Sequence, residues 1–122
     1  MKAIVVDDSR AMRMILTQML KECGFDVLEA KHGKEALVCL ESNQDTSLAL
    51  IDWNMPEMNG LELLEALKAD GRYGSLRRMM VTTESEMSNI SKAMDAGASE
   101  YVMKPFTVGA IQDKLRVLGL LS

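Results

Sequence analysis

Hydrophobic residues in this chain fall into short continuous runs, separated by longer stretches with helical spacing. Four runs read as buried strands: Ala3-Ile4-Val5-Val6, Leu48-Ala49-Leu50-Ile51, Met79-Met80-Val81 and Tyr101-Val102-Met103. A fifth, Phe25-Asp26-Val27-Leu28, alternates in part, as an edge strand does. Continuous apolar runs of this length fit a parallel sheet covered on both faces. Between them, Met12, Ile15, Leu16, Met19 and Leu20 repeat at helical spacing, with Ser9 as N-cap and Gly24 as stop. A second helix runs from Lys34 to Leu40 and turns Ala36, Leu37 and Leu40 inward. Leu61, Leu64 and Leu67 mark a third, and Ile90, Ala93 and Met94 a fourth, stopped by Gly97. Val108, Ile111, Leu115 and Leu118 mark the fifth.

The pattern is a strand–helix unit repeated five times. Right-handed crossovers turn such a chain into an open α/β sheet with helices on both faces. A length of 122 residues fits one domain and is too short for a closed eight-unit barrel. There is no internal repeat, low-complexity tract or linker.

Composition narrows the class. Hydrophobic residues make up 48% and charged residues 26%, the balance of a soluble globular protein with a full core. A net charge of -4 argues against bulk attraction to nucleic acid or an anionic membrane, and Arg77-Arg78 is the only adjacent basic pair. The apolar start Ala3-Ile4-Val5-Val6 is cut off by Asp7-Asp8, too early for a secretory leader, and no segment approaches the length of a membrane span. Cys23 and Cys39 lie in helical segments without a neighbouring His and read as buried free thiols. The expected location is the cytoplasm, with no nucleic-acid or membrane partner.

Chemistry concentrates at the strand ends. In open α/β sheets, ligands bind beyond the carboxyl ends of the strands. Asp7 and Asp8 follow the first strand, Asp52 the third, Thr82 and Thr83 the fourth, and Lys104 and Pro105 the fifth. In the doubly wound strand order 2-1-3-4-5, the first and third strands are neighbours and the acids meet. Two carboxylates about 5 Å apart repel by roughly 1 kcal/mol in water, and by several times more in a partly dry cleft. Three need a cation or shared protons. Oxygen donors without His or Cys select Mg²⁺ or a similar ion over zinc. Lys104 adds a second positive charge and Thr82 a hydroxyl donor. The set suits phosphoryl transfer, with a carboxylate as nucleophile, and Asp52 stands alone on its strand end. Singly, each residue has a plainer reading: a turn or cap for the acids and threonines, a surface charge for Lys104. Their conjunction at four of five strand ends argues for one shared site.

The stretches "VVDDSR", "IDWNMPEMNGLELL", "VTTE" and "YVMKPF" resemble the response-regulator receiver domain of two-component signalling, and in particular its stand-alone chemotaxis-type (CheY-like) members. The resemblance runs over roughly residues 2 to 118, with the motifs in order. It implies a flavodoxin-like fold: a five-stranded parallel sheet, order 2-1-3-4-5, with five helices on both faces. It implies that Asp52 is the phosphoacceptor, that Asp8 binds Mg²⁺ directly and Asp7 helps through water, and that Asn54 gives the metal its backbone carbonyl. Thr82 would bond the phosphoryl oxygen. Lys104 would pair with the phosphoryl group or, before phosphorylation, with Asp52, and the Lys104–Pro105 bond would be cis. Gly60 would serve the turn into the third helix. Tyr101 would be the aromatic switch, within an output face of the fourth helix, fifth strand and fifth helix centred near Ile90, Tyr101 and Lys114. Periodicity alone gives Ile90 an equal claim to core packing. Asn54 and Glu84 would flank the path of an attacking water and give a phosphorylated state lasting seconds to minutes.

The partners implied are a histidine kinase as phosphodonor, a downstream protein target at the output face and, as a further candidate, a phosphatase. The chain is expected to be a single domain over residues 1–122 without an output domain, or else a domain cut from a longer protein, and a monomer or weak dimer. It is expected to be a switch and not an enzyme, beyond its own phosphorylation and dephosphorylation. Aspartyl-phosphate hydrolases on a related fold usually need a second acid where Asn54 stands. A flavodoxin-type cofactor binder would need a Gly- and hydroxyl-rich loop where Asp7 and Asp8 stand. The sequence departs from the chemotaxis-type pattern in two places. Glu86 and Met87 replace a lysine pair at the start of the fourth helix, and Ser9 replaces an aromatic. Of eleven methionines, Met12, Met14, Met19, Met79, Met80, Met94 and Met103 fall mainly at core-like positions, whereas Met55, Met58 and Met87 are expected at the surface. His32 reads as a plain surface residue. Trp53, beside Asp52, should report on the site by its fluorescence.

Overall fold

The computed structural model describes residues 1–121, apart from the side chains of Glu84 and Ser85. Strands and helices alternate as β1 (Lys2–Val6), α1 (Arg10–Glu22), β2 (Asp26–Ala30), α2 (Gly33–Glu41), β3 (Thr46–Asp52), α3 (Gly60–Lys68), β4 (Arg77–Thr82), α4 (Ile90–Asp95), β5 (Glu100–Met103) and α5 (Val108–Val117). Two short 3-10 segments, Gly71–Tyr73 and Glu84–Asn89, precede β4 and α4. The strands form one parallel sheet in the order β2-β1-β3-β4-β5. Val6 pairs with Ile51 and Asp52 with Val81, so β1, β3 and β4 end side by side.

Alternate residues of each strand face opposite sides. On one side Ile4, Val6, Ala49, Ile51 and Met80 pack beneath α2, α3 and α4, against Leu40, Leu63, Leu64, Leu67 and Ala93. On the other, Ala3, Val5, Leu48, Leu50, Met79, Val81 and Val102 pack beneath α1 and α5, against Leu16, Leu20, Ile111 and Leu115. Both faces of the central strands are covered, which is why their sequences are apolar throughout. β2 lies at the edge and keeps Asp26 and Glu29 exposed, as its partial alternation predicts.

The helix limits follow local chemistry. Ser9 Oγ accepts the Met12 N–H at 3.2 Å and starts α1. Asn59 and Glu62 form a reciprocal capping box at α3. Gly24 and Gly97, the predicted stops, have φ of +94° and +106°, the left-handed region that glycine enters without Cβ strain. Before α4 the structure differs from a simple helix: Glu84–Asn89 winds as a 3-10 segment, leaving α4 only six residues long.

Several side chains sit elsewhere than their pattern predicts. The buried stripe of α1 is Arg13, Leu16, Thr17 and Leu20, while Ile15 is 47% exposed and Met12 and Met19 are half-buried. Arg13 is drawn inward by polar partners at the end of β1, and this rotates the apolar face away from its expected centre. Met14 on this helix is exposed beside Arg13, and Met94 on α4 and Met103 on β5 are exposed beside inward-facing Ala93 and Val102. Met79 and Met80 are fully buried as expected. Cys23 and Cys39 are free but only half-buried. Among the described residues, no helix is long and apolar enough to cross a membrane.

Candidate functional site

β1 and β3 end beside each other and hand three acids to one point. Asp7, Asp8 and Asp52 each present a carboxylate oxygen, all within 4.8 Å of one another. β1 stops at Val6, so Asp7 and Asp8 are released from the strand's alternation and reach the same side. Asp7 and Asp52 are buried, whereas Asp8 is exposed. Asp7 Oδ1 accepts the Ser9 N–H at 2.9 Å, but its buried Oδ2 has no hydrogen-bond partner among the described residues. Arg13 Nη1 donates to the Asp7 carbonyl at 2.8 Å, and its Nε lies 3.4 Å from Glu29, which pins this turn to α1 and β2.

Asp52 Oδ1 accepts from the Trp53 N–H at 3.0 Å and lies 3.3 Å from Lys104 Nζ. Burial and then the charge of Asp7 push the Asp52 carboxyl up to about 6, against the opposing pull of Lys104. Burial also raises Asp7, against the Ser9 N–H that favours its charged form. One amine does not offset three acids. A divalent cation would satisfy the orphaned Asp7 oxygen and relieve the repulsion, and the cluster consists of carboxylates alone. These donors fit Mg²⁺.

The rest of the rim closes around Asp52. Thr82 ends β4 fully buried, and its hydroxyl donates to the Thr83 carbonyl at 3.2 Å. Lys104 follows β5, its N–H bound to the Thr82 carbonyl at 2.7 Å, and the Lys104–Pro105 bond is cis as expected. Gly60 is required for space: a Cβ there would lie 2.5 Å from the Asp52 carbonyl oxygen and 2.9 Å from Met80 Cε. Only a glycine lets α3 start this close to the acid.

The loop from β3 to α3 departs from two expectations. Met55 and Met58 are half-buried against the core, and Met87 is half-buried too. Met58 covers Gly33, where a Cβ would lie 2.6 Å from Met58 Cγ, and the Gly33 N–H donates to the Met58 carbonyl at 3.2 Å. His32 is not a plain surface residue. Its Nδ1 accepts the Glu35 N–H at 3.2 Å and caps α2, while its Nε2 lies 3.2 Å from Glu57. Glu57 has φ of +62°, which costs an L residue about 1–2 kcal/mol and is held by this strap.

Asn54 is exposed, and its side-chain amide donates to one carboxylate oxygen of Glu86. The other Glu86 oxygen accepts the Thr83 N–H at 2.9 Å. The Glu84 side chain lies outside the described residues. Away from the acids, Lys114 Nζ stands 4.8 Å above the ring of half-buried Tyr101 and 3.2 Å from Glu100. Ile90 is half-buried against the core, so packing explains part of its apolar character. Sequence reasoning missed Arg13, Gly33 and the role of Glu86. Thr83-Glu84-Ser85-Glu86 carries the spacing of a capping box, a legible signal for Glu86. Arg13 and Gly33 left none, because Glu29 and Met58 reach them from segments distant along the chain.

A parallel five-stranded sheet with an acid cluster and a lysine on its carboxyl rim defines a class of α/β signalling domain. The family model of the response regulator receiver domain matches residues 3–116, and the chain belongs to this family. It is 45% identical over 119 residues to the chemotaxis protein CheY1 of Helicobacter pylori, covering 97% of this chain and 96% of that one. It is 46% identical over 121 residues to a chemotaxis protein CheY homolog of Campylobacter jejuni, covering 98% and 93%. Among solved structures, the chemotaxis response regulator CheY4 of Vibrio cholerae superposes with a TM-score of 0.88 at 28% identity, covering 96% of this chain and 97% of that one. Receiver domains of this kind are signalling switches, not enzymes that turn over a free substrate, and they bind Mg²⁺ at an acidic pocket.

Proposed function

We propose that this protein is a phosphorylation-dependent switch in which Asp52 accepts a phosphoryl group from a histidine kinase in a Mg²⁺-dependent reaction, in chemotaxis or a related two-component pathway. The observation that carries this reading is the set of Asp7, Asp8 and Asp52 oxygens within 4.8 Å, with Lys104 Nζ 3.3 Å from Asp52. An ionised Asp52 oxygen attacks phosphorus. An O–P bond forms, the P–N bond to the donor imidazole breaks, and its electron pair leaves with the nitrogen. Bound Mg²⁺ supplies charge neutralisation for the acids and the phosphoryl oxygens. Asp8 would hold it directly, Asp7 would support it through water, and the Asn54 carbonyl would complete the protein's share. Lys104 leaves Asp52 for a phosphoryl oxygen, and Thr82 releases the Thr83 carbonyl to donate to another.

The output follows from the same movement. Thr82 is bonded through its carbonyl to Lys104, which follows β5, the strand that carries Tyr101. A shift of Thr82 changes the room beneath Tyr101 and reshapes the face of α4, β5 and α5, with Ile90, Tyr101 and Lys114 in it. A downstream protein reads that face. A phosphatase, or water reaching Asp52 past Asn54, resets the switch within seconds to minutes. The cytoplasm suits a chain that works with a kinase and a phosphodonor of this kind.

Incubation with Mg²⁺ and acetyl phosphate, followed by Trp53 fluorescence, tests the reading. A transient signal that needs both reagents and is lost in Asp52→Asn is the expected result. Steady multiple turnover of varied phosphate esters would point to a hydrolase instead, and a phosphorylated state lasting many hours with Mg²⁺ present would rule out the fast reset.

A further inference from the structure

We propose that Glu86 is a positioning residue for phosphoryl transfer: an acidic clasp across the mouth of the site that slows anionic donors and that the phosphoryl group itself must open. The inference rests on the reading of Asp52 as phosphoacceptor. A residue that merely capped the 3-10 segment would need only the bond from the Thr83 N–H, at 2.9 Å. The second carboxylate oxygen of Glu86 reaches 32 residues back along the sequence to the Asn54 amide. Asn54 lies two residues beyond Asp52, and Thr83 directly follows Thr82. One carboxylate therefore ties the strand end that holds the nucleophile to the strand end that holds the hydroxyl donor.

The clasp has two consequences. It holds a fourth carboxylate on Asn54 and Thr83, close along the chain to the residues that flank the cluster, so a dianionic donor meets more repulsion on approach than a monoanionic one. It also restrains Thr83, whose carbonyl holds the Thr82 hydroxyl at 3.2 Å. Like charge then works in the reverse direction. A phosphoryl group on Asp52 repels Glu86, and the neutral Asn54 amide exchanges one anionic acceptor for another. The 84–89 segment, which leads into α4, is released as a result. Glu86 thus couples the chemistry to the output face through the segment that leads into α4.

The test compares wild type, Glu86→Gln and Glu86→Ala, each with Mg²⁺ and either acetyl phosphate, a dianion, or phosphoramidate, a monoanion. Intact mass gives the extent of phosphorylation, and Trp53 fluorescence gives the rate. Glu86→Gln keeps the shape of the side chain and removes its charge. It should raise the rate with acetyl phosphate roughly 5-fold at low salt, with a smaller gain for phosphoramidate and little gain for either near 0.5 M salt. Amide hydrogen exchange at Thr83, measured without metal or donor, should quicken in Glu86→Ala. Circular dichroism verifies that both variants fold. Rates and salt dependence equal to wild type in both variants overturn the proposal. So does a change confined to Glu86→Ala with no dependence on donor charge, which reduces Glu86 to a cap. If wild type takes no phosphoryl group from either donor, the reading of Asp52 fails first, a result distinct from equal uptake by all three proteins.

Discussion

The two ends of the sheet bury charge in opposite ways. At the amino end, Arg78 opens β4 almost fully buried, with its guanidinium spent on backbone carbonyls: Nη2 donates to Tyr73 at 2.7 Å and Nη1 to Gly97 at 3.4 Å. Burial lowers its pKa from the ordinary arginine value, but the group remains a cation, and it joins the Gly71–Tyr73 turn to the α4–β5 turn. At the carboxyl end, Asp7 and Asp52 are buried too, yet they repel each other, and Asp7 Oδ2 has no partner among the described residues. The first arrangement sets a charge against neutral carbonyls, with only its Nε unpartnered among the described residues, and holds the fold together. The second keeps a charge poorly satisfied and stores a demand for a cation. A buried charge held by neutral acceptors is a structural device, and buried like charges gathered at one point mark the site.

The comparison can be broken first at Arg78. Arg78→Met should cost about 2–3 kcal/mol, because the buried Tyr73 carbonyl and the half-buried Gly97 carbonyl each lose a charged donor, read as a lower denaturation midpoint. The opposite sign is expected at the acid end. Asp52 has a folded pKa of about 6, above its usual 3.8, so the folded state holds its proton more tightly than the unfolded chain does. Its destabilising effect is absent below about pH 4, grows as pH rises toward 6, and is complete above that. Asp52→Asn should therefore stabilise the metal-free protein at neutral pH by about 1–3 kcal/mol, with the gain vanishing by pH 4. Chemical denaturation of both proteins across that range measures it.

Much of this was legible in the sequence because it depends on local pattern. Continuous apolar runs gave the parallel sheet, Gly24 and Gly97 marked helix ends, and acids, threonines and a lysine following four strands pointed to a site on one rim. What escaped depends on contacts between turns distant along the chain. Arg13 reads as a surface cation on an amphipathic helix until Asp7 and Glu29 are seen beside it. His32 has no metal-ligand neighbour in its loop-like stretch, and Glu57 becomes its partner only when the β3–α3 loop folds over α2. Methionines misled for a related reason: hydrophobicity does not say which of two neighbouring helix positions faces in, and on α1 a charged residue took the inward place.

Smaller effects sharpen the contrast. Mg²⁺ should stabilise wild type at neutral pH, by roughly 1–2 kcal/mol at concentrations about tenfold above its dissociation constant. Asp8→Ala should abolish Mg²⁺-dependent phosphorylation, whereas Asp7→Ala should weaken it less. Equal loss in both would contradict the division between direct and water-linked ligand. Smallest of all, His32→Ala should cost about 1 kcal/mol through the lost cap of α2 and strap to Glu57, and should leave the acid cluster unchanged.

The most direct measurement is site-resolved mass spectrometry of the protein after exposure to acetyl phosphate with Mg²⁺. The account predicts a single phosphoryl group on Asp52, absent without Mg²⁺ and absent in Asp52→Asn. A phosphoryl group on another residue, or equal uptake with Mg²⁺ removed, would contradict it.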